Sequence, residues 1–130
     1  MSGDLLFVYG TLRRDCSSGA HANYLAGAQF IDRANINGKL FRVSYYPALV
    51  LDENAGPVTG ELYRLTSPEQ LARLDGYEEC TYPAQPGQEY QRLAVQVKTN
   101  AGAYLTAWVY AYQHPCDNLE LIASGDFLNP

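Results

Sequence analysis

The segment that follows the first apolar run of the chain has the composition of an anion-binding loop. The run ends at Tyr9, and Gly10, Thr11 and Leu12 come next. Because Gly10 has no Cβ, the chain can turn there and direct successive backbone N–H groups into one concavity, where they would bind an anion or an oxyanion. A four-residue pattern is weak evidence alone, and the alternative is that Gly10 only ends a strand and Thr11 only caps a turn. We call residues 9–12 the 9–12 loop.

Carboxylates near a predicted helix end are candidates for acid/base chemistry. Glu78 and Glu79 follow Gly76, where the helix should stop, and Glu89 precedes Tyr90 at the entrance of a predicted strand. A carboxylate held against aromatic rings is desolvated, which raises its pKa toward the range useful for proton transfer. The alternative is that these glutamates are solvated loop residues, as most glutamates are.

Eleven tyrosines are a large number for 130 residues, and several of them fall on one predicted strand. At a period of two, one face of residues 104–112 carries Tyr104, Thr106, Trp108, Tyr110 and Tyr112. The other face is aliphatic and neither is strongly charged, so we predict a strand buried on both sides. The aromatic face is interpreted as core or as the lining of a pocket. Buried tyrosine hydroxyls need partners, and Tyr110 and Tyr112 would be suitable donors at the end of a site.

Other catalytic chemistries lack the residues that they need. His21 and His114 are far apart and form neither an HxH nor an HExxH pattern, so no zinc site is expected. Cys16, Cys80 and Cys116 show no CxxC spacing and are predicted to be free thiols in a reducing compartment, although a Cys–His pair formed in space stays open. No phosphate-binding or dinucleotide-binding glycine motif occurs. We therefore predict no metal and no organic cofactor.

The charge of the chain argues against two classes of partner. The chain has 9 Lys and Arg against 14 Asp and Glu, a net charge of −5, and Arg13-Arg14 is the only adjacent basic pair. Nucleic acid or anionic lipid would require a basic stripe. No apolar stretch approaches the roughly 20 residues that span a bilayer, and no basic region precedes the first apolar run as in a signal peptide. We expect a cytoplasmic protein that binds neither nucleic acid nor membrane.

The elements that position these residues are predicted to be mostly strands. A buried strand is expected over residues 5–9, several short ones between 30 and 64, and a hairpin over 90–99 and 104–112. Residues 20–26 predict a short helix, whereas residues 10–19 and 79–89 predict loops.

A second helix is predicted after Ser67, which is a natural N-cap. Pro68 occupies the first position and Gln70 completes a capping box, while Leu71 and Leu74 face the core. With about six strands and no linker or repeat, the chain predicts one α+β, mostly β, barrel-like domain over residues 1–130.

Four segments in the same order resemble the γ-glutamyl cyclotransferase-like superfamily. They are Phe7-Val8-Tyr9-Gly10-Thr11-Leu12, Pro57-Val58-Thr59-Gly60-Glu61-Leu62-Tyr63, Leu74-Asp75-Gly76-Tyr77-Glu78 followed by Tyr90-Gln91-Arg92, and Leu121-Ile122-Ala123-Ser124-Gly125-Asp126-Phe127-Leu128. Each segment is modest alone, but their order across nearly the whole chain makes the match specific. The branch that the chain resembles most is that of the γ-glutamylamine cyclotransferase and AIG2-like proteins, in their small bacterial form.

The resemblance implies a small mixed β-barrel with short flanking helices and a cavity at one end. It also implies that the 9–12 loop binds the γ-glutamyl group through backbone amides, that Glu78 is the general acid/base, and that Tyr90 lines the pocket. Some small bacterial members instead place a glutamate directly before the Tyr-x-Arg strand, which is the position of Glu89, so Glu89 is the alternative base. The insert between Glu78 and Tyr90 is longer than in many relatives.

The activity that the resemblance implies is conversion of a γ-glutamyl amide to 5-oxoproline and a free amine, without a cofactor. A different acyl-transfer or eliminating reaction on a γ-glutamyl metabolite is one alternative. A non-catalytic domain that binds such a small molecule is the other. Neither the leaving amine nor the oligomeric state is predicted.

Overall fold

Strands dominate the computed structural model, which describes residues 4–17, 19–44, 46–78 and 86–130. The strands are Leu5–Val8 (β1), Gln29–Ile36 (β2), Gly38–Arg42 (β3), Pro47–Leu51 (β4), Val58–Arg64 (β5), Tyr90–Thr99 (β6), Tyr104–Tyr112 (β7) and Glu120–Leu121 (β8). The helices are Ala20–Tyr24 (α1) and Pro68–Tyr77 (α2). The short strand β8 was not predicted from the sequence.

Five strands close into a barrel in the order β1-β5-β2-β6-β7. Four of the neighbouring pairs are antiparallel, and the barrel closes where β1 runs parallel to β7 with Leu6 opposite Trp108. The remaining strands form a small sheet in the order β4-β3-β8. The predicted mostly-β barrel with short flanking helices is therefore confirmed.

Both faces of β1 are buried. Leu6 and Val8 belong to a hydrophobic cluster that includes residues of α1 and α2, whereas Phe7 and Tyr9 belong to a second cluster that includes residues of β3 and β4. Because side chains on both faces are packed, the strand is anchored up to its last residue. The 9–12 loop therefore begins at a fixed point of the core.

The β6–β7 hairpin has the predicted bounds, but the prediction that β7 is buried on both sides is wrong for its first half. Tyr104 is 64% exposed and Thr106 is also exposed, whereas Tyr110 is buried. The ammonium of the exposed Lys98 lies 5.9 Å from the centroid of the Tyr104 ring, so this end of the hairpin is open to solvent. The aromatic face is buried only toward the end of the strand.

Helix α2 begins as predicted but with a different reciprocal hydrogen bond. Ser67 Oγ accepts from the backbone N–H of Gln70 at 3.2 Å, which satisfies one of the free donors of the first turn. The Gln70 side chain accepts from the backbone N–H of Thr66 at 2.7 Å, one residue before the position that a capping box would use. Leu71 and Leu74 are buried, as predicted.

The predicted end of α2 at Gly76 is wrong by one residue. The helix continues through Tyr77, whose ring packs against Tyr24 with centroids 4.4 Å apart, and Glu78 becomes the C-cap. A side chain at Gly76 would meet open space, so no close contact forces the helix to end there. This tertiary contact places Glu78 directly at the end of a regular element.

The remaining predictions concern connections, thiols and membrane spans. Residues 10–17 and 86–89 contain no helix or strand, as predicted. Residues 79–85 of the predicted loop, which include Glu79 and Cys80, lie outside the described residues. Cys16 and Cys116 are free thiols. In the described ranges, no helix is long and apolar enough to cross a membrane.

Candidate active site

A cavity of about 200 Å³ lies where the ends of β1 and α2 meet the beginnings of β4 and β6 and the last part of β7. Its lining is aromatic and carboxylic. The lining residues are Phe7, Val8, Tyr9, Gly10, Thr11, Leu12, Tyr46, Pro47, Tyr77, Glu78, Glu89, Tyr90 and Tyr110. Elements far apart in the sequence thus meet around one space.

Among the residues that the structure describes, all but one of the predicted catalytic and substrate-binding residues line this cavity. The 9–12 loop, both candidate bases and two of the three candidate tyrosines are among the lining residues. The exception is Tyr112, which is half-buried and packs edge-on against the ring of Tyr90, with centroids 5.5 Å apart. Tyr112 therefore supports a lining residue and is not one itself.

The 9–12 loop makes a tight turn against β4. The backbone N–H of Arg13 donates to the carbonyl of Gly10 at 3.0 Å. A Cβ on Gly10 would lie 2.5 Å from Cγ of Pro47, so glycine is required here because the two segments approach closely. The hydroxyls of Thr11 and Tyr77 share a hydrogen bond of 2.8 Å, which connects the loop to the end of α2.

A buried arginine directly after the 9–12 loop forms ion pairs with two other segments of the chain. Arg13 is 1% exposed, its Nε donates to Glu61 at 3.1 Å, and its guanidinium also donates to Asp126 at 2.7 Å. Glu61 accepts in addition from the backbone N–H of Arg14 at 3.0 Å and from the Tyr63 hydroxyl at 2.8 Å. The loop is thereby fixed to β5 and to the C-terminal turn.

Sequence reasoning missed this ion pair. Partial burial acts to raise the pKa of Asp126, but the hydrogen bonds and charge of Arg13 outweigh it and hold that pKa below its ordinary value. Glu61 was a usable signal, because it is an acid in the middle of strand β5 and needs a cation when buried. Arg13-Arg14 was considered only as a surface pair.

Glu78 is a half-buried carboxylic acid at the end of α2. Its backbone N–H donates to the carbonyl of Leu74 at 2.9 Å, which anchors the residue to the helix. Burial, together with a smaller contribution from the nearby negative charge of Glu89, raises the pKa of Glu78 from 4.5 to about 8. The group can therefore both accept and release a proton near neutral pH.

Glu89 has a different environment at the start of β6. The Tyr46 hydroxyl donates to Oε2 of Glu89 at 2.8 Å. The carbonyl of Glu89 accepts from the backbone N–H of Gln113 at 2.7 Å, which aligns it with the end of β7. The side chain is thus a fixed, half-buried carboxylate at the edge of the cavity.

Besides Tyr46, three tyrosine hydroxyls around the cavity donate to groups of the protein. Tyr9 donates to the carbonyl of Tyr110, Tyr90 donates to the carbonyl of Pro47 at 2.6 Å, and Tyr110 donates to Asp75 at 2.8 Å. Burial, with added repulsion from Glu78, raises the pKa of both Tyr9 and Tyr90 well above the ordinary tyrosine value. The hydroxyls of Tyr9 and Tyr90 therefore stay neutral and do not serve as bases.

Several residues that shape the site were not singled out in the sequence. Tyr46, Pro47 and Tyr77 line the cavity, and Asp75 accepts from Tyr110 behind it. Tyr46 and Pro47 lie where β4 begins, and their approach to the 9–12 loop depends on the closed fold, so no local pattern marks them. Asp75 was visible only as a part of the segment before Glu78.

The cavity is acidic. None of the described residues that line it is Arg, Lys or His, while two of them are glutamates. The described ranges also contain no group of three or more His, Cys, Asp or Glu residues arranged to hold a metal ion. The polar groups available to a ligand are therefore carboxylates, tyrosine and threonine hydroxyls, and backbone.

The model of the family described as "Gamma-glutamyl cyclotransferase, AIG2-like" matches residues 6–129 of the chain. The chain belongs to this family. The gamma-glutamylcyclotransferase family protein YtfP of Escherichia coli K12 is 35% identical over 125 residues, which are 95% of this chain and 96% of YtfP. Family membership therefore covers almost the whole sequence and supports a cyclotransferase type of activity.

Solved structures of family members share the fold. The solution structure of YtfP has a TM-score of 0.68 at 34% identity and matches over 96% of each chain. An aig2-like protein from Mus musculus has a TM-score of 0.76 at 26% identity, over 100% of this chain and 97% of the mouse protein. YkqA from Bacillus subtilis has a TM-score of 0.72 at 30% identity, and this chain spans only 39% of its length.

Proposed function

We propose that this protein is a cyclotransferase that converts a γ-glutamyl amide to 5-oxoproline and a free amine in the cavity described above. One observation carries the proposal. Glu78, whose pKa is raised to about 8, lines the same small cavity as the 9–12 loop. A proton-transferring carboxylate and a rigid backbone loop in one cavity are the two groups that intramolecular aminolysis requires.

In this proposal, Glu78 removes a proton from the α-amine of the substrate. The nitrogen lone pair attacks the γ-carbonyl carbon, and a five-membered ring forms. The C–N bond to the leaving amine then breaks, and protonated Glu78 returns its proton to the departing nitrogen. Because the attack is intramolecular, holding the substrate in its folded conformation supplies much of the rate enhancement. Backbone N–H groups near Gly10 and Thr11 stabilise the negative oxygen of the tetrahedral intermediate.

The surrounding tyrosines keep the cavity rigid and in part apolar. The bond from Tyr9 to the Tyr110 carbonyl joins the 9–12 loop to β7, and the bond from Tyr90 to the Pro47 carbonyl joins β6 to β4. Their hydroxyls are neutral, so they add no charge beside Glu78. A site fixed in this way binds the folded substrate without much reorganisation.

The choice of Glu78 over Glu89 as the acid/base rests on their environments. Burial favours the protonated form of Glu78 and brings its pKa close to neutral pH. Glu89 instead has one carboxylate oxygen engaged by a hydrogen bond from the Tyr46 hydroxyl at 2.8 Å. A group that must accept and then release a proton is better matched by Glu78.

The test is to incubate the protein with γ-glutamyl amines and measure 5-oxoproline and the released amine in equal amounts. Glu78→Gln should abolish turnover, keep the fold and still bind the substrate. Full activity of this variant would transfer the acid/base role to Glu89. Saturable binding by the wild-type protein without any product would support the binding-domain alternative, and a released product other than 5-oxoproline would support a different reaction.

A further inference from the structure

We propose that Asp126 is a positioning residue for the reaction, which acts on the 9–12 loop through the side chain of Arg13. Asp126 belongs to the C-terminal turn, residues 122–129, and is not among the residues that line the cavity. The inference rests on the proposed function, because it concerns the placement of the backbone N–H groups that stabilise the negative oxygen. Asp126 itself does not touch the substrate.

The first step is that Arg13 is fixed at both of its ends. Its backbone N–H donates to the carbonyl of Gly10 at 3.0 Å and thereby closes the turn of the 9–12 loop. Its guanidinium is bound by Glu61 at 3.1 Å and by Asp126 at 2.7 Å. Because this side chain is buried in close-packed surroundings, a displacement of the guanidinium also displaces the backbone that closes the turn.

The second step is the difference between the two carboxylates that bind Arg13. Glu61 is fully buried in β5 and also accepts from the backbone N–H of Arg14 and from the Tyr63 hydroxyl. Its loss would leave several buried donors without an acceptor, which would destabilise the whole fold. The side chain of Asp126 is 19% exposed, so its loss leaves Glu61 to balance the charge of Arg13 and admits water to Nη1. Removal of Asp126 therefore releases the guanidinium without removing its counterion.

The third step is that the C-terminal turn is itself attached to the barrel. The backbone N–H of Thr59 in β5 donates to the carbonyl of Gly125 at 2.7 Å. Oδ1 of Asp126, which binds Arg13, also accepts from the backbone N–H of Leu128 at 3.0 Å. The carboxylate is therefore held in one place relative to β5, and it can serve as a fixed anchor for the guanidinium.

The kinetic consequence of this anchor is specific to the transition state. Negative charge develops on the γ-carbonyl oxygen only as the ring closes, so the directions of the loop N–H groups matter more in the transition state than in the bound substrate. Loss of Asp126 should therefore lower kcat and leave KM nearly unchanged. A residue that only stabilises the fold would change neither constant of the folded protein.

The experiment measures 5-oxoproline release from one γ-glutamyl amide by Asp126→Asn, at a temperature at which circular dichroism shows every variant to be folded. We expect kcat to fall by about 10- to 100-fold and KM to stay within about threefold of wild type. Asp126→Ser should give the same result. It removes the carboxylate without placing an amide donor against the guanidinium of Arg13, so it does not depend on whether the asparagine variant folds.

Two control variants separate positioning from loss of charge and from loss of stability. Asp117→Asn makes the same chemical change at an exposed residue. Val97→Ala leaves a space in the core near the end of β6 that is remote from Tyr90 and the cavity, and it lowers stability. Both controls should keep kcat within about twofold of wild type while folded.

The inference is overturned if a folded Asp126 variant keeps the wild-type kcat, if Val97→Ala loses as much kcat, or if neither Asp126 variant folds. If the wild-type protein forms no 5-oxoproline, the proposed function fails, and the backbone amide signals of residues 10–13 in ¹H–¹⁵N NMR spectra decide the inference. Signals that shift in Asp126→Asn or Asp126→Ser but not in Val97→Ala support the connection between Asp126 and the 9–12 loop. Unchanged signals refute it.

Discussion

The hydroxyl of Tyr110 donates to Oδ1 of Asp75 at 2.8 Å, and this bond joins the end of β7 to the last turn of α2. Nε of Arg92 lies 3.3 Å from the same oxygen, with its guanidinium 4.3 Å from the centroid of the Trp108 ring. Asp75 lies three residues before Glu78, so the two belong to the same turn. The barrel therefore holds the helix end that carries the candidate base.

We expect Asp75→Asn to lower kcat by about 10- to 100-fold with little change in KM, because a small displacement of Glu78 impairs proton transfer more than binding. Steady-state kinetics with one γ-glutamyl amine measures kcat and KM separately. Tyr110→Phe removes the hydrogen bond to Asp75 but leaves its ion pair with Arg92, and it should lower kcat less. A stable Asp75→Asn protein with wild-type kcat would show that Asp75 does not position Glu78.

The regular elements were predictable because their signals are local. The alternation of β6 and β7, the strand propensity of β5 and the Ser67-Pro68 start of α2 each depend on neighbouring residues. The bond between Asp75 and Tyr110 joins positions 35 residues apart, and only the closed barrel brings them together. No period or spacing encodes such a contact.

The same distinction explains which parts of the candidate site were found. The 9–12 loop and Glu78 were identified through segments that resemble a family, and the structure brings them to one cavity. The burial of Arg13 depends on Glu61 and Asp126, which come from distant segments. Its position next to Arg14 suggested a basic pair on the surface, and that interpretation was wrong. The exposure of Tyr104 follows from the hairpin extending into solvent, which an alternating pattern does not reveal.

The raised pKa of Glu78 predicts the pH dependence of catalysis. If Glu78 is the base, kcat/KM should rise with pH through an apparent pKa of about 8, since the carboxylate must be ionised. Glu89→Gln removes a nearby negative charge and should shift this limb to lower pH with the same substrate. Initial rates measured from about pH 5 to about pH 10 test both statements, because this range extends from near the ordinary pKa of a glutamate to above the raised pKa of Glu78. A limb near the ordinary carboxyl value would contradict the assignment.

The same pKa predicts how stability depends on pH. The unfolded chain ionises Glu78 at its ordinary pKa of 4.5, whereas the folded protein holds the proton up to about pH 8. The folded state binds more protons across this window, so wild-type stability falls as pH rises through it. Glu78→Gln lacks this penalty and should be more stable than wild type at high pH by up to a few kcal/mol, with no such gain near pH 4.

Urea unfolding of both proteins at about pH 4.5, 6.5 and 8.5 measures this difference in the free energy of unfolding. These pH values cover the interval between the unfolded and folded pKa of Glu78. Glu53→Gln is the matched control, because its side chain is exposed and should show no pH-dependent gain. A stability difference between Glu78→Gln and wild type that does not vary with pH would show that Glu78 ionises normally in the folded protein.

The space around two glycines, Gly10 in the 9–12 loop and Gly76 in α2, predicts opposite effects of substitution by alanine. A Cβ at Gly10 would lie 2.5 Å from Pro47 Cγ, so Gly10→Ala should displace the loop, destabilise the fold by about 2 kcal/mol or more and abolish turnover. At Gly76 the same Cβ meets nothing within 4 Å, and alanine in a helix should stabilise by about 0.5–1 kcal/mol. Thermal unfolding and 5-oxoproline release measure both variants. Wild-type stability and turnover in Gly10→Ala would refute a required close approach.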